Sequence, residues 1–586
     1  MKRFIDIVLV VVGLLVGLNA SAQVAKEVEV VRDFAPKVAR AQKRSITPNM
    51  VDTVKLRPEI DYTITPSSFT STLNTHRFRP AAVTYWEYQK HYPFYLKLGA
   101  GYPINSVADF YATTHRADVG YATAYANHIG QFSKIKVYDP GFGATYNNRS
   151  QSMQTRAGVA AGRYFGRYTL AGDVYYQSDM YDRYPYARSN DYDPRDVDYE
   201  NVAFKASFGD SFADLSRLNF EITAGFDFYH DKSDMLRYEG GVTPITTDRF
   251  SQISANAGVR IARNLGGRSN FSVGAAYEGY YGLRDLKHYR NNILSASLLY
   301  GYKSDRLLNL KVGATYLYDG VAGLKTRHHV LPYLYVGVNI RDNGGFVPYL
   351  EVDGRLLNNS YQELQRRNPY VAMLGYEGMP MMNPQEALPN TTQYNVRFGV
   401  SGHTRNSKLA YRLYANMAFI ENSLYWYNVN RAFFGAEVAR RNIFSVNGAV
   451  EYKPVSALLI EAQVKGMIYT TFATVENALP SIEARVALKY THRKFSIGAS
   501  ADVVGASRWT AITTYRPGET FNTIVDINSG VRVPATVDVG VNLDWHISDK
   551  CTLFAEGHNL ANMNIYRWVF YREYGANFTV GVKMQF

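Results

Sequence analysis

The chain ends Asn577-Phe-Thr-Val-Gly-Val-Lys-Met-Gln-Phe586, and this stretch decides the reading of the rest. Phe578, Val580, Val582, Met584 and Phe586 hold every second position, with Thr579, Gly581, Lys583 and Gln585 between them. Side chains alternate across a strand, so the segment has one apolar and one polar face. It is a strand, and it stops on an aromatic residue.

The same rhythm runs back to about residue 93. In 536–547, Val537, Val539, Val541, Leu543, Trp545 and Ile547 alternate with Asp538, Gly540, Asn542, Asp544 and His546. In 481–490, Ile482, Ala484, Val486, Leu488 and Tyr490 alternate with Glu483, Arg485, Ala487 and Lys489. Segments 94–100, 218–228 and 310–316 repeat the pattern. Each spans about nine to eleven residues, the length a tilted strand needs to cross a bilayer. The polar set mixes small and charged residues, which suits a watery interior, and aromatics such as Tyr102, Tyr176, Tyr452 and Trp545 sit where strands meet headgroups.

Connections alternate as well. Short turns fall at 103–106, 165–166, 266–268, 303–306, 341–344, 404–408, 454–456, 492–494 and 548–550, with a looser one at 210–216. Long polar stretches lie between them, including 116–150, 357–391, 421–441, 506–534 and 559–577. Short turns on one side and long loops on the other mark a transmembrane antiparallel barrel. The turns give ten hairpins, and the last strand needs a partner. This predicts about 22 strands and one strand before Phe94, at "EIDYTITP" (59–66) or "YWEYQK" (85–90). The expected barrel is 58–586.

The N-terminus reads as an export signal. Met1-Lys2-Arg3 precedes an apolar run to Ala20, and Ala20-Ser21-Ala22 offers cleavage after Ala22. Residues 23–57 mix charges and prolines and read as an extended periplasmic segment, a possible docking strand for a periplasmic partner. These features predict the outer membrane of a Gram-negative bacterium, with its lipid and lipopolysaccharide as surroundings.

Composition excludes several functions. The 48 tyrosines and 45 glycines favour strands and interfaces over helices. The formal charge is +13; without Lys2, Arg3 and Asp6 it becomes +12, spread through strands and loops with no basic cluster, so nucleic-acid binding is not expected. Cys551 is the single cysteine, so neither an intramolecular disulfide nor a multi-cysteine metal site can form. His328 and His329 are adjacent rather than four apart, the spacing of a helical metal pair. His546, His558 and Asp544 are the only catalytic candidates, and no nucleophile motif accompanies them. No enzyme and no cofactor is predicted.

The remaining chemistry is a charged interior. Arg397, Glu461, Lys465, Glu483, Arg485, Lys489, Asp538 and Asp544 are the lumen-lining candidates, together with Lys97, Asp173, Lys205, Glu221 and Lys311. They read either as a selectivity lining or as solvated filler.

The final 36 residues, with Asn559-Leu560, Tyr566, Gly575 and the terminal aromatic, resemble the end of TonB-dependent receptor barrels. That resemblance implies a large outer-membrane barrel whose closing strand, Phe578, Val580, Val582, Met584 and Phe586, is the signal read by the barrel-assembly machinery. Family members carry a plug of well over a hundred residues. About seventy separate Ala22 from Phe94, too few for such a plug, and "EVEVV" (27–31) is only loosely similar to the family's TonB-contacting box. The expected function is therefore a plug-less conduit or porin for a polar solute. The alternative is a non-transporting scaffold subunit of an assembly, secretion or envelope complex. Loops 357–391 and 506–534, the tail or a partner are the candidates for closing the lumen.

Overall fold

The computed structural model describes residues 92–586 except 117, 140–143, 186–195, 213, 234–236, 240–242, 246–249, 285, 305–306, 341–344, 372–387, 477–478 and 516–523. The signal segment, the 23–57 segment, and both candidate strands before Phe94 lie outside the described residues.

The strands, in chain order, are β1 (Phe94–Tyr102), β2 (Ile104–Arg116), β3 (Gly120–Asp139), β4 (Ala144–Phe165), β5 (Tyr168–Asp182), β6 (Asp196–Asp210), β7 (Asn219–Asp231), β8 (Arg237–Glu239), β9 (Thr243–Ile245), β10 (Phe250–Asn264), β11 (Ser269–Arg284), β12 (Arg290–Lys303), β13 (Leu308–Val321) and β14 (Arg327–Val338). They continue with β15 (Val347–Leu357), β16 (Thr391–His403), β17 (Leu409–Val429), β18 (Phe433–Val455), β19 (Leu458–Thr471), β20 (Ile482–His492), β21 (Phe495–Val504), β22 (Ser507–Tyr515), β23 (Ile524–Val533), β24 (Thr536–Ser548), β25 (Cys551–His558), β26 (Tyr566–Trp568), β27 (Tyr571–Arg572) and β28 (Asn577–Gln585). One short helix, α1 (Tyr361–Arg367), lies between β15 and β16.

Each barrel strand pairs antiparallel with the next, and β28 returns to β1, closing a ring of 22 strands. Among the described residues six strands stand outside the ring: the β8–β9, β22–β23 and β26–β27 hairpins. The closing seam pairs Tyr102 with Phe578 and Tyr95 with Gln585. At its end Phe94 and Phe586 exchange backbone hydrogen bonds of 3.0 and 3.1 Å, and their rings stack 5.3 Å apart. Every seam edge is thereby paired, as a bilayer requires.

The strand count agrees with the sequence reading, but its route needs correction. The closing partner of β28 is β1 itself, so no strand is needed before Phe94. The strand missed in the sequence is β3, inside the presumed loop 116–150. Its outward set is Ala122, Ala124, Ala126 and His128, small or polar residues that give alternation without apolar contrast. Moreover, the Tyr102–Pro103 turn lies at the long-loop rim, because β1 rises from the rim where the chain ends. The short turn that replaces it joins β2 to β3.

Exposed apolar residues mark the outer wall: Val159, Leu170, Val202, Ile222, Leu298, Phe398, Val464 and Leu543 among others. On β28, Phe578 and Val580 are exposed on this face, as is Phe586 just beyond it, while Thr579 is buried inside. The residues between them face the lumen, so the two-residue rhythm sets the two walls.

Candidate functional site: a charged lumen and its loop cap

The inward charges pair across neighbouring strands. Arg397 on β16 bonds Asp353 (2.8 Å) and Glu351 (3.2 Å) on β15. Lys465 pairs Glu483 (3.3 Å) from β19 to β20, and Arg485 pairs Asp502 (3.6 Å) from β20 to β21. Asp538 accepts the Asn559 backbone N–H (2.8 Å), tying β24 to the last loop. Glu461 and Lys489 stand exposed near the short-turn rim. Asp173 accepts the Tyr125 hydroxyl (2.8 Å) beside Arg156, and the Lys205 ammonium lies over the Tyr175 ring (5.7 Å).

The seam has its own cluster. Lys583 pairs Asp544 (2.6 Å), Lys97 pairs Glu556 (3.1 Å), and the Phe554 ring lies within 4.5 Å of the Lys97 nitrogen and 5.2 Å of the Lys583 nitrogen. The two ammonium groups, side by side in register, are each balanced by a carboxylate and share an aromatic face.

The catalytic candidates do not meet. His546 bonds Thr552 (3.0 Å) near the short-turn rim, whereas His558 lies beside Gly540, six positions along β24 and about 20 Å away. His328 and His329 face opposite sides of β14: the first bonds Tyr316 (2.7 Å) on the outer wall, the second lies 3.6 Å from Asp319 inside. Among the described residues no group of three or more His, Cys, Asp or Glu side chains could hold a metal ion.

The sequence left open what occupies the lumen. At the long-loop end, loops fold inward onto a shared apolar core that includes Val197, Phe250, Leu286, Tyr361, Leu364, Val371, Trp426, Phe434, Trp509 and Tyr571. All five long stretches named above contribute: 116–150 through Ile135 on β3, 357–391 through α1, 421–441 through Trp426 and Phe434, 506–534 through β22–β23, and 559–577 through β26–β27. Tyr370 and Tyr571 stack at 3.8 Å, the Tyr571 hydroxyl donates to the Ala432 carbonyl, and Phe434 N–H donates to the Tyr370 carbonyl (3.1 Å).

Helix α1 is held by the wall. Seven residues are too few for a stable isolated helix, although Glu363 and Arg367 form an i,i+4 pair (3.1 Å). Its docked face supplies the missing stability. Tyr361 donates to Asp231, as does Gln365 (2.7 Å), and Gln362 donates to Asp227 (2.9 Å). Asp231 is nearly inaccessible to solvent and also accepts the Ser233 backbone N–H (2.8 Å). At the far end of the same loop, Asn390 bonds Asp319 (2.7 Å) and exchanges two bonds with Asn291 (2.8 and 3.0 Å). The sequence contained a trace of this: "YQELQRRNP" (361–369) is a two-turn helical pattern with a proline stop inside a polar loop.

Beneath α1 the wall of β7, β10, β11 and β12 is built from small residues. A cavity of about 430 Å³ touches Thr223, Ser254, Asn256, Glu278, Tyr280 and Asn358. A second, of about 240 Å³, touches Glu221, Arg260, Ser272, Ser295 and Ser297, and shares Thr223, Gly258 and Ala276 with the first. Together they form a hydroxyl-rich groove running from the helix toward the short-turn rim.

No family profile matches the chain, and no curated protein matches it in sequence. Solved structures do match its shape. The siderophore receptor PirA from Acinetobacter baumannii aligns with a TM-score of 0.62 at 11% identity, over 84% of this chain and 80% of that one. The copper transporter OprC aligns at 0.58 and 14% identity, over 85% and 81%. The ferripyoverdine receptor of the outer membrane of Pseudomonas aeruginosa aligns at 0.58 and 11% identity, over 87% and 73%. At such identities the likeness is one of fold. In fold, this chain is a closed antiparallel β-barrel of 22 strands, the architecture it shares with these receptors and this transporter.

Proposed function

We propose that the protein is a gated conduit through which a polar solute crosses the outer membrane. The carrying observation is the pairing of a charged, hydroxyl-lined lumen with a loop cap held by an apolar core and by polar contacts of α1 to the wall. A lumen meant only as filler needs no groove leading to its cap. The solute would pass between α1 and the β10–β11 wall, where Glu278, Tyr280 and Asn358 stand, and continue past Glu221 and Arg260. Paired charges around the lumen keep its field balanced, so selectivity would follow size and hydrogen bonding more than net charge. The named neighbours include a siderophore receptor and a copper transporter, which makes transport the function class supported by shape.

Uptake into liposomes tests this directly. The intact chain should admit small polar solutes slowly, and variants with a loosened cap should admit them faster. Equal exclusion of sugars, amino acids and ions by both forms would refute it.

The apolar packing of the cap favours a second reading, a closed scaffold subunit. In that case partners should co-purify in gentle detergent through the 23–57 segment or the outer loops. Export with cleavage after Ala22 and insertion by the barrel-assembly machinery through Phe586 complete the proposal. So does placement among outer-membrane lipid and lipopolysaccharide.

A further inference from the structure

The sequence shows no basic cluster, but folding makes one. The β16–β17, β18–β19 and β20–β21 hairpins are neighbours at the short-turn rim. Their ends are hydrogen-bonded to each other: the Lys453 N–H donates to the Lys408 carbonyl (2.6 Å), and the Thr491 N–H to the Ala457 carbonyl (2.8 Å). Along this arc stand Arg405, Lys408, Lys453, Arg493 and Lys494. Across 403–409, 451–458 and 490–495 the one acid is Glu451, already paired with Lys453 (2.7 Å). Arg405, Lys408, Arg493 and Lys494 are exposed and form no ion pair among the described residues.

The backbone that presents them is braced. The 404–409 turn is braced by Thr404 and Asn406: Ser407 N–H donates to the Thr404 carbonyl (2.8 Å), and Lys408 N–H to the Asn406 side chain (3.2 Å). Lys494 N–H donates to the His492 ring (3.3 Å). Directly above, on the outer wall, Tyr452, Tyr490 and Trp545 are exposed, with Val455 (57%) and Ile547 (57%) exposed at the turns themselves. Amphipathic rings belong at the headgroup level, and apolar residues at turn tips belong in acyl chains rather than water. The cations therefore lie at the depth of the phosphates.

We propose that this arc is a binding site for anionic phospholipid, whose headgroup phosphates sit between Arg405, Lys408, Arg493 and Lys494 while its acyl chains cover Val455, Tyr490 and Ile547. The aromatic belt beside the cations selects a lipid surface over a soluble anionic protein. The inference stands independently of what passes through the lumen.

Spin-labelled lipids read it out. The barrel is reconstituted in phosphatidylcholine vesicles, and the motionally restricted fraction of labelled phosphatidylglycerol is compared with that of labelled phosphatidylcholine. The intact protein should prefer phosphatidylglycerol by at least about twofold, and the preference should vanish near 1 M salt. The R405E/K408E/R493E/K494E variant should lose the preference. K287E/K325E, which reverses two exposed lysines at the opposite rim, should keep it. If the reversed variant does not insert, the glutamine versions and the salt titration of the intact protein make the same distinction. Equal restriction of both lipids by the intact protein overturns the proposal. So does a preference that survives the four changes, or one that disappears in K287E/K325E.

Discussion

Replacing Asp231 with alanine should release α1 from the wall without unfolding the barrel. Asp231 accepts the Tyr361 hydroxyl and the Gln365 amide (2.7 Å) in a site closed to solvent. Hydrogen bonds to a charged acceptor are worth about 1.5–3 kcal/mol each, so the two together contribute roughly 3–6 kcal/mol to docking. Water entering the vacated site recovers part of this, leaving about 3 kcal/mol. At 1.4 kcal/mol per decade that is on the order of a hundredfold in the ratio of undocked to docked cap. Hydrogen exchange reads this ratio directly, because local opening sets the exchange of protected amides. The amides of Leu364 and Asn368, bonded to Ser360 (2.9 Å) and Leu364 (2.9 Å), should exchange about a hundred times faster. Those of β6 and β10 should be unchanged. Arg366→Ala is the control, since Arg366 lies 3.7 Å from Asp227 and is half exposed; its effect should stay within about 1 kcal/mol. Unchanged protection of 361–371 in Asp231→Ala would refute the latch. Equal loss across β6 and β10 would show that Asp231 supports the wall rather than the cap.

The cap should also respond to pH through Glu573, whose carboxyl is pushed up to about 7, chiefly by burial, against the pull of Arg567. A carboxyl with a raised folded pKa holds its proton longer in the folded state, so its burial costs nothing in acid and destabilises the cap as pH rises from the usual carboxylate range through 7. Since the residue keeps some exposure, the effect should be about 1–2 kcal/mol, and protection of the 559–576 loop should fall between pH 5 and 8; Glu573→Gln should abolish that dependence. Gly581→Val should prevent closure, because a Cβ there would stand 2.0 Å from the Leu98 carbonyl oxygen; the folded, heat-modifiable band should disappear on gels. Gly172→Ala, whose nearest contact would be 3.6 Å, should fold normally. Deleting Phe586 removes the Phe94 stack and two backbone hydrogen bonds, about 2–4 kcal/mol at the seam, and should lower the amount of inserted barrel; full insertion would contradict the role given to this residue.

Much of the barrel was legible because a strand with lipid on one side and water on the other must alternate. The exception teaches the rule. β3 was hidden by Ala122, Ala124 and Ala126, which satisfy the outer wall without announcing it, and hiding one strand produced the search for a closing partner before Phe94 that the ring does not need. On the polar beat, Arg397, Lys465, Glu483, Arg485 and Asp544 form ion pairs with neighbouring strands, while Asp538 accepts the Asn559 N–H. The cap was readable only as one of several alternatives, with loops 357–391 and 506–534 named beside the tail and a partner. Its contacts join Tyr361 and Gln365 to Asp231, some 130 positions away, and no local pattern encodes which loop a long barrel draws inward. The cationic arc was invisible for a related reason, since Arg405, Lys453 and Arg493 are scattered in sequence and meet only because three hairpins sit side by side.

The claim that inward loops close the lumen is tested most directly in planar bilayers. Residues 359–389 are replaced by a short glycine-serine linker joining Asn358 to Asn390, and single-channel current is compared with that of the intact chain. The account predicts that the intact barrel is silent or opens rarely, and that the linker form shows stable, large conductance steps. A linker form as silent as the intact one would contradict it, because the cap would then not be what closes the lumen.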